Sequence, residues 1–486
     1  MDWMSLPAEL RAMVLQALIC EGDIATHASV SREWQKAIEI YNFQSLELKA
    51  KDISMFGAVA KRNFHLIKYI WYSIELPEYD CSECSQVENQ YLIDANQVTV
   101  ENSIRLLFGA LSTVVPGPDA DMTLDISIHS PSDSQHHFKY IRTEPAKPLS
   151  SRRYRALAPD SDLSHNSPAS SLSLDAIDQI FPDICFSEPQ DEFWNSVPEA
   201  PCVTHLLLRR QTRRRWDATS LSRLFTRLPR LRDVHYEPWR EWVRMLQRSA
   251  DKRSGDLFNF LTSHTNIERM TIFEDSNETY ISTFSTGLHE ALDAEPVRQA
   301  TPYVARNLAK ASLRLQHLSA AFIIDVDLFW NECLSRTDWM WGQLQTLSLT
   351  SRILMPRNKS EDINRVLLSS AQAIRQMPQL LKLELWNGGK GYAAMFRFQS
   401  VRANVNRRAS ITWRGTWDLI LESSVITAWE DARTSHAGHL DVQNEILEPR
   451  EIRSHGEAVL ALELEIDVAC PISIQQIHEE HSFPGP

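Results

Sequence analysis

The most regular signal in the chain is a triplet of apolar positions: apolar, two residues, apolar, one residue, apolar. It recurs at Phe43/Leu46/Leu48, Ile67/Ile70/Tyr72, Val203/Leu206/Leu208, Leu231/Val234/Tyr236, Ile267/Met270/Ile272, Leu315/Leu318/Ala320, Leu344/Leu347/Leu349, Leu380/Leu383/Leu385 and Val459/Leu462/Leu464. Apolar residues two apart in a short run mark a strand with one buried face. Helical stretches ending in a proline turn precede several triplets, as in LSRLFTRLPRLRDVHY and VLLSSAQAIRQMPQLLKLEL. A strand and a helix that each expose an apolar stripe are unstable alone; stacking parallel neighbours buries both.

That logic predicts an α/β chain built as an irregular, leucine-rich-repeat-like solenoid. Contiguous triplets begin from 24 residues apart (Phe43 to Ile67) to 48 apart (Ile267 to Leu315). Regular repeats of this kind run about 20–29 residues, so insertions are expected. The competing reading is an ordinary α/β domain whose strands share the spacing. DMTLDISIHS (121–130) alternates and adds a further strand. Of the 27 residues 145–171, 11 are Pro or Ser, which predicts a loop or disordered insertion. The tail ISIQQIHEEHSFPGP ends in Pro and Gly and is expected to fray.

The first forty residues follow a different period. LPAELRAMVLQALI reads as a helix with Pro7 at its first turn and Glu9 complementing the dipole. Its polar stripe is too narrow for one small core to bury the rest. A break at Glu21-Gly22-Asp23, a short helix over 24–28 and a third helix in VSREWQKAIEIY complete a three-helix unit. So small a unit must pack on the rest of the chain or on a partner.

These residues resemble the F-box. Leu6, Pro7, Glu9, Leu10, Val14, Leu15, Leu18, Val30 and Trp34 match its pattern, while Ser31 stands where Cys is frequent and DIATHAS lacks the usual leucines. YIWYSIELPEYDCSEC and the helix SIRLLFGALSTV are similar to the segment that follows the motif in fungal F-box proteins. The resemblance implies a substrate-recruiting subunit of an SCF-type cullin–RING ubiquitin ligase. The nine matching residues would bind a Skp-type adaptor and, through it, a cullin, and the repeats would bind a protein target. The alternative is a non-ligase repeat scaffold whose N-terminal helices cap the array. The expected organisation is an F-box over 1–42, first repeat-like units over 43–140, the Pro/Ser-rich insertion over 141–175, the solenoid over 176–475 and a flexible tail over 476–486.

Composition narrows the chemistry. A formal net charge of −13 disfavours nucleic acid and anionic membranes as principal partners. Seven scattered cysteines give no disulfide framework, and no basic, apolar leader opens the chain, so an intracellular protein, cytoplasmic or nuclear, is expected. No apolar run reaches the roughly 18 residues of a membrane span.

Catalytic and cofactor motifs are missing, so the chain reads as a non-enzyme with no cofactor. Cys81-Ser-Glu-Cys84 is a single CxxC; His129, His136 and His137 lie too far along to form a motif with it, and no metal is expected. NGGKGY (387–392) reads as a turn after a strand. RRQTRRRW (209–216) reads as a solvated loop, with an arginine pocket for acidic or phosphorylated peptides, or a nuclear nucleic-acid patch, as further readings. Most of the 14 tryptophans read as core.

Between the apolar strand positions lies a polar stripe facing away from the helices. The candidate target-binding residues are His205, Arg209, Arg210, Asp233, His235, Arg269, His317, Lys382 and Glu384.

Overall fold

The computed structural model describes residues 3–21, 25–117, 120–136, 141–146, 174–241, 243–263, 266–277, 298–400, 409–432 and 440–482. Residues 147–173 of the expected insertion lie outside the described residues.

One mixed sheet of twelve strands, in chain order, runs through the molecule. The strands are β1 (Ser45–Leu48), β2 (Tyr69–Glu75), β3 (Thr123–His129), β4 (His205–Leu208), β5 (Asp233–Tyr236), β6 (Arg269–Phe273), β7 (His317–Ala321), β8 (Thr346–Thr350), β9 (Lys382–Gly389), β10 (Tyr392–Gln399), β11 (Ser410–Gly415) and β12 (Asp441–Ile446). From β1 to β9 every neighbouring pair is parallel. Parallel strands need a crossover, and helices supply most of them: α3 (Ile53–Asn63), α4 (Gln90–Ser112), α5 (Leu174–Ile180), α6 (Gln190–Ser196), α7 (Ala218–Thr226), α8 (Arg244–Leu261), α9 (Pro302–Ala311), α10 (Val326–Ser335) and α11 (Ser360–Ala373). Side-chain caps start several of these helices, as where Asn89 accepts from Leu92 N and Asp217 from Thr219 N.

Register explains why the apolar triplets stack. Leu46, Ile70, Leu124, Leu206, Val234, Met270, Leu318, Leu347 and Leu383 are paired across successive strands. All but the half-buried Leu46 are fully packed in the main core with the helices. In eight of the nine triplets the second and third positions fall on strands, with the first just before the strand; in the ninth they do not. Val459 and Leu462 lie on α13 (His455–Leu462), and Leu464 follows it. Positions three apart share a helical face as readily as they flank a strand turn.

The chain reverses at Lys390-Gly391, where Gly391 has φ 82°, so the turn expected in NGGKGY is these two residues, while Asn387, Gly388 and Gly389 belong to β9 and Tyr392 to β10. Strands β10 and β11 are antiparallel neighbours, and β12 rejoins parallel to β11. Strand β10 escaped the apolar pattern because both its faces are buried: Ala394, Phe396 and Phe398 in the main core, Ala393 and Met395 on the opposite side.

At the N-terminus, α1 (Ala8–Glu21), a 3-10 turn (Ala25–Ser29) and α2 (Arg32–Gln44) make a small helical unit that runs directly into β1. Ser31 caps α2 by accepting from Trp34 N. At the other end, α12 (Ser423–Asp431) continues the helical layer, packing on α11, and α13 packs on α14 (Pro471–Ser482). The expected flexible tail over 476–486 is corrected in part: α14 continues through Ser482, with Ile477 and Glu480 buried.

Candidate functional site

The polar column of the sheet is as continuous as the apolar one. Thr123, His205, Asp233, Arg269, His317, Thr346 and Lys382 are paired in series across β3 to β9. Two residues on, Leu207, His235, Thr271, Ser319, Ser348 and Glu384 form a second row.

A groove of about 340 Å³ opens along the middle of these rows. Its lining includes His205, Asp233, His235, Arg269 and His317, five of the nine residues expected to touch a target, with Glu465, Ile466 and Asp467 as the opposite wall. Charges alternate along it. His205 Nδ1 lies 3.0 Å from Asp121 Oδ1, and Arg269 Nε lies 3.3 Å from Asp233 Oδ2. His317 Nδ1 and Thr346 Oγ1 are 2.8 Å apart. Burial raises the Asp233 carboxyl against the pull of His205 and Arg269, and burial then Arg269 lower the His317 imidazole. On the floor, the buried Ser319 hydroxyl has no hydrogen-bond partner among the described residues. Buried polar groups are nearly always bonded, and this one, closed off beneath the groove surface, is an exception. The surface offers donors and acceptors of both signs, suited to a polar peptide.

The other four candidates are placed differently. Lys382 is ion-paired to Glu465. Glu384 is fully buried, accepting from Glu465 N at 2.9 Å, Ile466 N at 3.1 Å and Arg397 Nε at 2.7 Å. Arg209 and Arg210 are also buried, which corrects the reading of 209–216 as a solvated loop or an exposed arginine patch. Arg209 pairs with Asp125 at 2.9 Å, Arg214 with Asp133 and Arg215 with Glu241 at 3.1 Å. Arg210 meets Asp275 and, at 2.8 Å, Glu480, which also takes Arg213 at 2.5 Å. Arg213 further stacks over Trp239, 4.3 Å from the ring centroid.

These contacts reveal what sequence reasoning missed: the C-terminal segment lies across the sheet face. Ile452, Ala458, Val459, Leu462, Val468, Ile474 and Ile477 pack on Phe273, Ala321, Trp386, Ala393 and Met395. Phe322 joins Phe273 to Trp386 through edge-to-face contacts at 5.5 and 5.3 Å. Polar anchors fix the segment. Buried Glu237 accepts from Cys470 N at 2.7 Å and Ser473 Oγ at 2.5 Å, and His455 Nε2 lies 2.8 Å from Asp275 Oδ1. Burial alone would raise the Glu480 carboxyl, but Arg210 and Arg213 hold it down to about 2. The groove is the stretch of the face that this segment borders without filling.

Residues 262–470 match the model of a family of unknown function, DUF6546. The match begins at the end of α8 and stops just before α14, so it takes in β6 to β12 together with most of the covering segment. No curated protein matches the chain.

The nine F-box-like positions divide by exposure. Leu15 is buried within the helical unit, and Leu6, Leu18 and Trp34 are half-buried, Trp34 with its ring 5.2 Å from Trp3. Pro7, Glu9, Leu10, Val14 and Val30 are exposed, with Met13 64 % exposed beside them. Glu33 clamps the unit by accepting from Trp3 Nε1 and Arg11 Nε, each at 3.0 Å. One judgement from sequence distance is also corrected: His136 does approach the CxxC pair, while His137 lies outside the described residues.

No helix among the described residues is long and apolar enough to cross a membrane.

Proposed function

We propose that the chain is a non-enzymatic recruiting subunit of an SCF-type ubiquitin ligase, its N-terminal helices docking a Skp-type adaptor and its repeat-like body holding a protein target in the polar groove. The observation that carries this reading is the apolar surface left open on α1. Leu10, Met13 and Val14 on α1 stay in solvent, as does Val30 on the bend before α2, although the unit that bears them is clamped by Glu33 and α2 is capped by Ser31. A helical cap for the array would turn those residues inward, because each exposed aliphatic side chain forgoes about 1.5–3 kcal/mol of burial.

The uninterrupted parallel order of β1 to β9 supports the leucine-rich-repeat-like description, since each strand–helix unit packs on its sequence neighbours. Ubiquitin transfer would be supplied by the ligase partners. The subunit's contribution is proximity, which turns a bimolecular encounter into an effectively intramolecular one. The expected intracellular location, cytoplasmic or nuclear, belongs to the same proposal.

The deciding experiment is co-purification of the full chain with the adaptor, wild type against Leu10→Asp/Val14→Asp. Recovery should be lost while the melting temperature is kept. Equal recovery from a folded double variant would leave the scaffold reading in its place.

A further inference from the structure

The loop after β2 and the loop after β3 bring together three donors that lie far apart in sequence. Cys81 and Cys84 sit on a turn that follows β2, and His136 on a turn that follows β3. Their sulfur and ring-nitrogen atoms all lie within 4.8 Å of one another. We propose that Cys81, Cys84 and His136 form a binding site for a zinc-class transition-metal ion.

Four arguments support it. The first is donor chemistry: two thiols and an imidazole suit zinc and its soft neighbours and reject magnesium or calcium, which need oxygen. The second is size. Zinc–sulfur bonds of about 2.3 Å and zinc–nitrogen bonds of about 2.0 Å place tetrahedral donors roughly 3.5–3.8 Å apart. The cluster is within about 1 Å of that spacing, a gap that side-chain rotation closes.

The third is that the two loops are already held in place. Ser130 Oγ donates to Pro77 O at 2.8 Å, Ser132 Oγ accepts from Tyr79 N at 3.1 Å, and Tyr79 Oη donates to Asp133 Oδ1 at 3.1 Å. Tyr79 also packs its ring 5.6 Å from that of His136. The turn bearing the cysteines is fixed by Asp80, which accepts from Ser82 N at 2.8 Å. The donors therefore converge on loops that protein hydrogen bonds of their own hold together. The fourth is access. Cys84 is buried, His136 half-buried and Cys81 exposed, so the cluster is walled on one side and open on the other. Three protein donors with an open fourth position leave room for water or a further ligand.

Such an ion would link the loops that follow the second and third strands, beside the buried Arg214–Asp133 pair. It requires no part of the ligase reading. The test is metal content of the full chain, purified without chelator or affinity histidines and measured by mass spectrometry, with cobalt substitution as the spectroscopic check. We expect about one zinc per chain, and a cobalt form with sulfur-to-metal charge-transfer bands. Cys84→Ser and His136→Ala should each lower occupancy by roughly tenfold or more. His136→Cys retains a donor and should keep the ion, which separates lost ligation from lost folding. Three results would each overturn the proposal: no retained metal after zinc loading, a zinc content indifferent to His136→Ala, or a Cys81–Cys84 disulfide in protein purified under reducing conditions.

Discussion

The two ends of the chain are both small helical units, and they treat their apolar surface in opposite ways. The C-terminal pair, α13 and α14, buries Val459, Leu462, Ile474 and Ile477 on the sheet face. It then locks the arrangement with charge, placing Glu480 between Arg210 and Arg213 and His455 against Asp275. The N-terminal pair, α1 and α2, buries Leu15 and Ile38 and leaves Leu10, Met13 and Val14 outside. Its ion pair, Arg11–Glu33, is only partly buried. Apolar content alone therefore does not tell whether a terminal helix is an integral part of the fold or a surface for another chain. Buried charge does, because an ion pair removed from water is tolerated only where both partners and their hydrogen bonds are fixed.

The largest effect should come from breaking that charge. Glu480→Ala leaves Arg213 buried without its carboxylate and Arg210 with Asp275 alone, and removal of one partner from a buried pair costs about 3–5 kcal/mol. Urea denaturation should show the loss, and limited proteolysis should cut first within 449–482. An unchanged midpoint with intact protease resistance would mean that the C-terminal segment is not held by this anchor.

Acid should act on the same contact more gently. Glu480 titrates at about 2 in the folded chain against an ordinary 4.5, its burial outweighed by Arg210 and Arg213. A depressed folded value means that the stabilisation is complete above 4.5 and is lost as pH falls from there through 2. The gap corresponds to roughly 3 kcal/mol. Asp275 and Glu237 are depressed in the same direction despite burial, by Arg210 and by His235 respectively. Stability measured between pH 5 and 2 should therefore fall, and Glu480→Gln, already weakened, should show a shallower slope. Parallel slopes would assign the acid sensitivity to other groups.

What could be read from the sequence follows from which interactions are local. Burial of one strand face writes a period of two into the chain, and eight triplets and the 121–130 strand were legible for that reason. The ninth triplet was ambiguous because Val459 and Leu462 also fit a helix face. The groove was legible as a stripe of polar positions, since register carries His205, Asp233, Arg269 and His317 into one row. The arginine run was not legible. Its partners lie elsewhere in the chain: Arg209 bonds Asp125 across 84 residues and Arg210 bonds Glu480 across 270. No local pattern separates such a run from a solvated one. His136 is a similar case, joined to Cys84 only because β2 and β3 are neighbours.

Between the two ends, the groove should respond in binding and hardly at all in stability. Arg269 has a half-exposed side chain paired to Asp233 at 3.3 Å. Such pairs contribute about 0–1 kcal/mol, so Arg269→Ala should move the melting temperature little. Under the proposed function it should weaken target capture, because it removes the most exposed cation of the row. Ser319→Ala should leave stability equal or slightly improved, since the unpartnered buried hydroxyl is removed. If Arg269→Ala binds targets as the parent does, the groove is a solvated face and the recognition surface lies elsewhere.

The smallest stability effect belongs to the open face of α1, and there the comparison can be made within one helix. Val14 and Leu15 are adjacent in sequence, yet Val14 is 40 % exposed and Leu15 only 5 %. Val14→Asp should change stability by no more than about 0.5 kcal/mol, the usual range for surface positions. Leu15→Ala should cost about 2–5 kcal/mol of the helical unit's packing. Hydrogen exchange of α1 and α2 would resolve the two, with Leu15→Ala speeding exchange across both helices and Val14→Asp leaving it unchanged. Adaptor capture should fail in both, for different reasons: an intact surface carrying a charge in one, a surface no longer formed in the other. If Val14→Asp also releases α1, the face is packed in solution, and the contrast between the chain's two ends disappears with it.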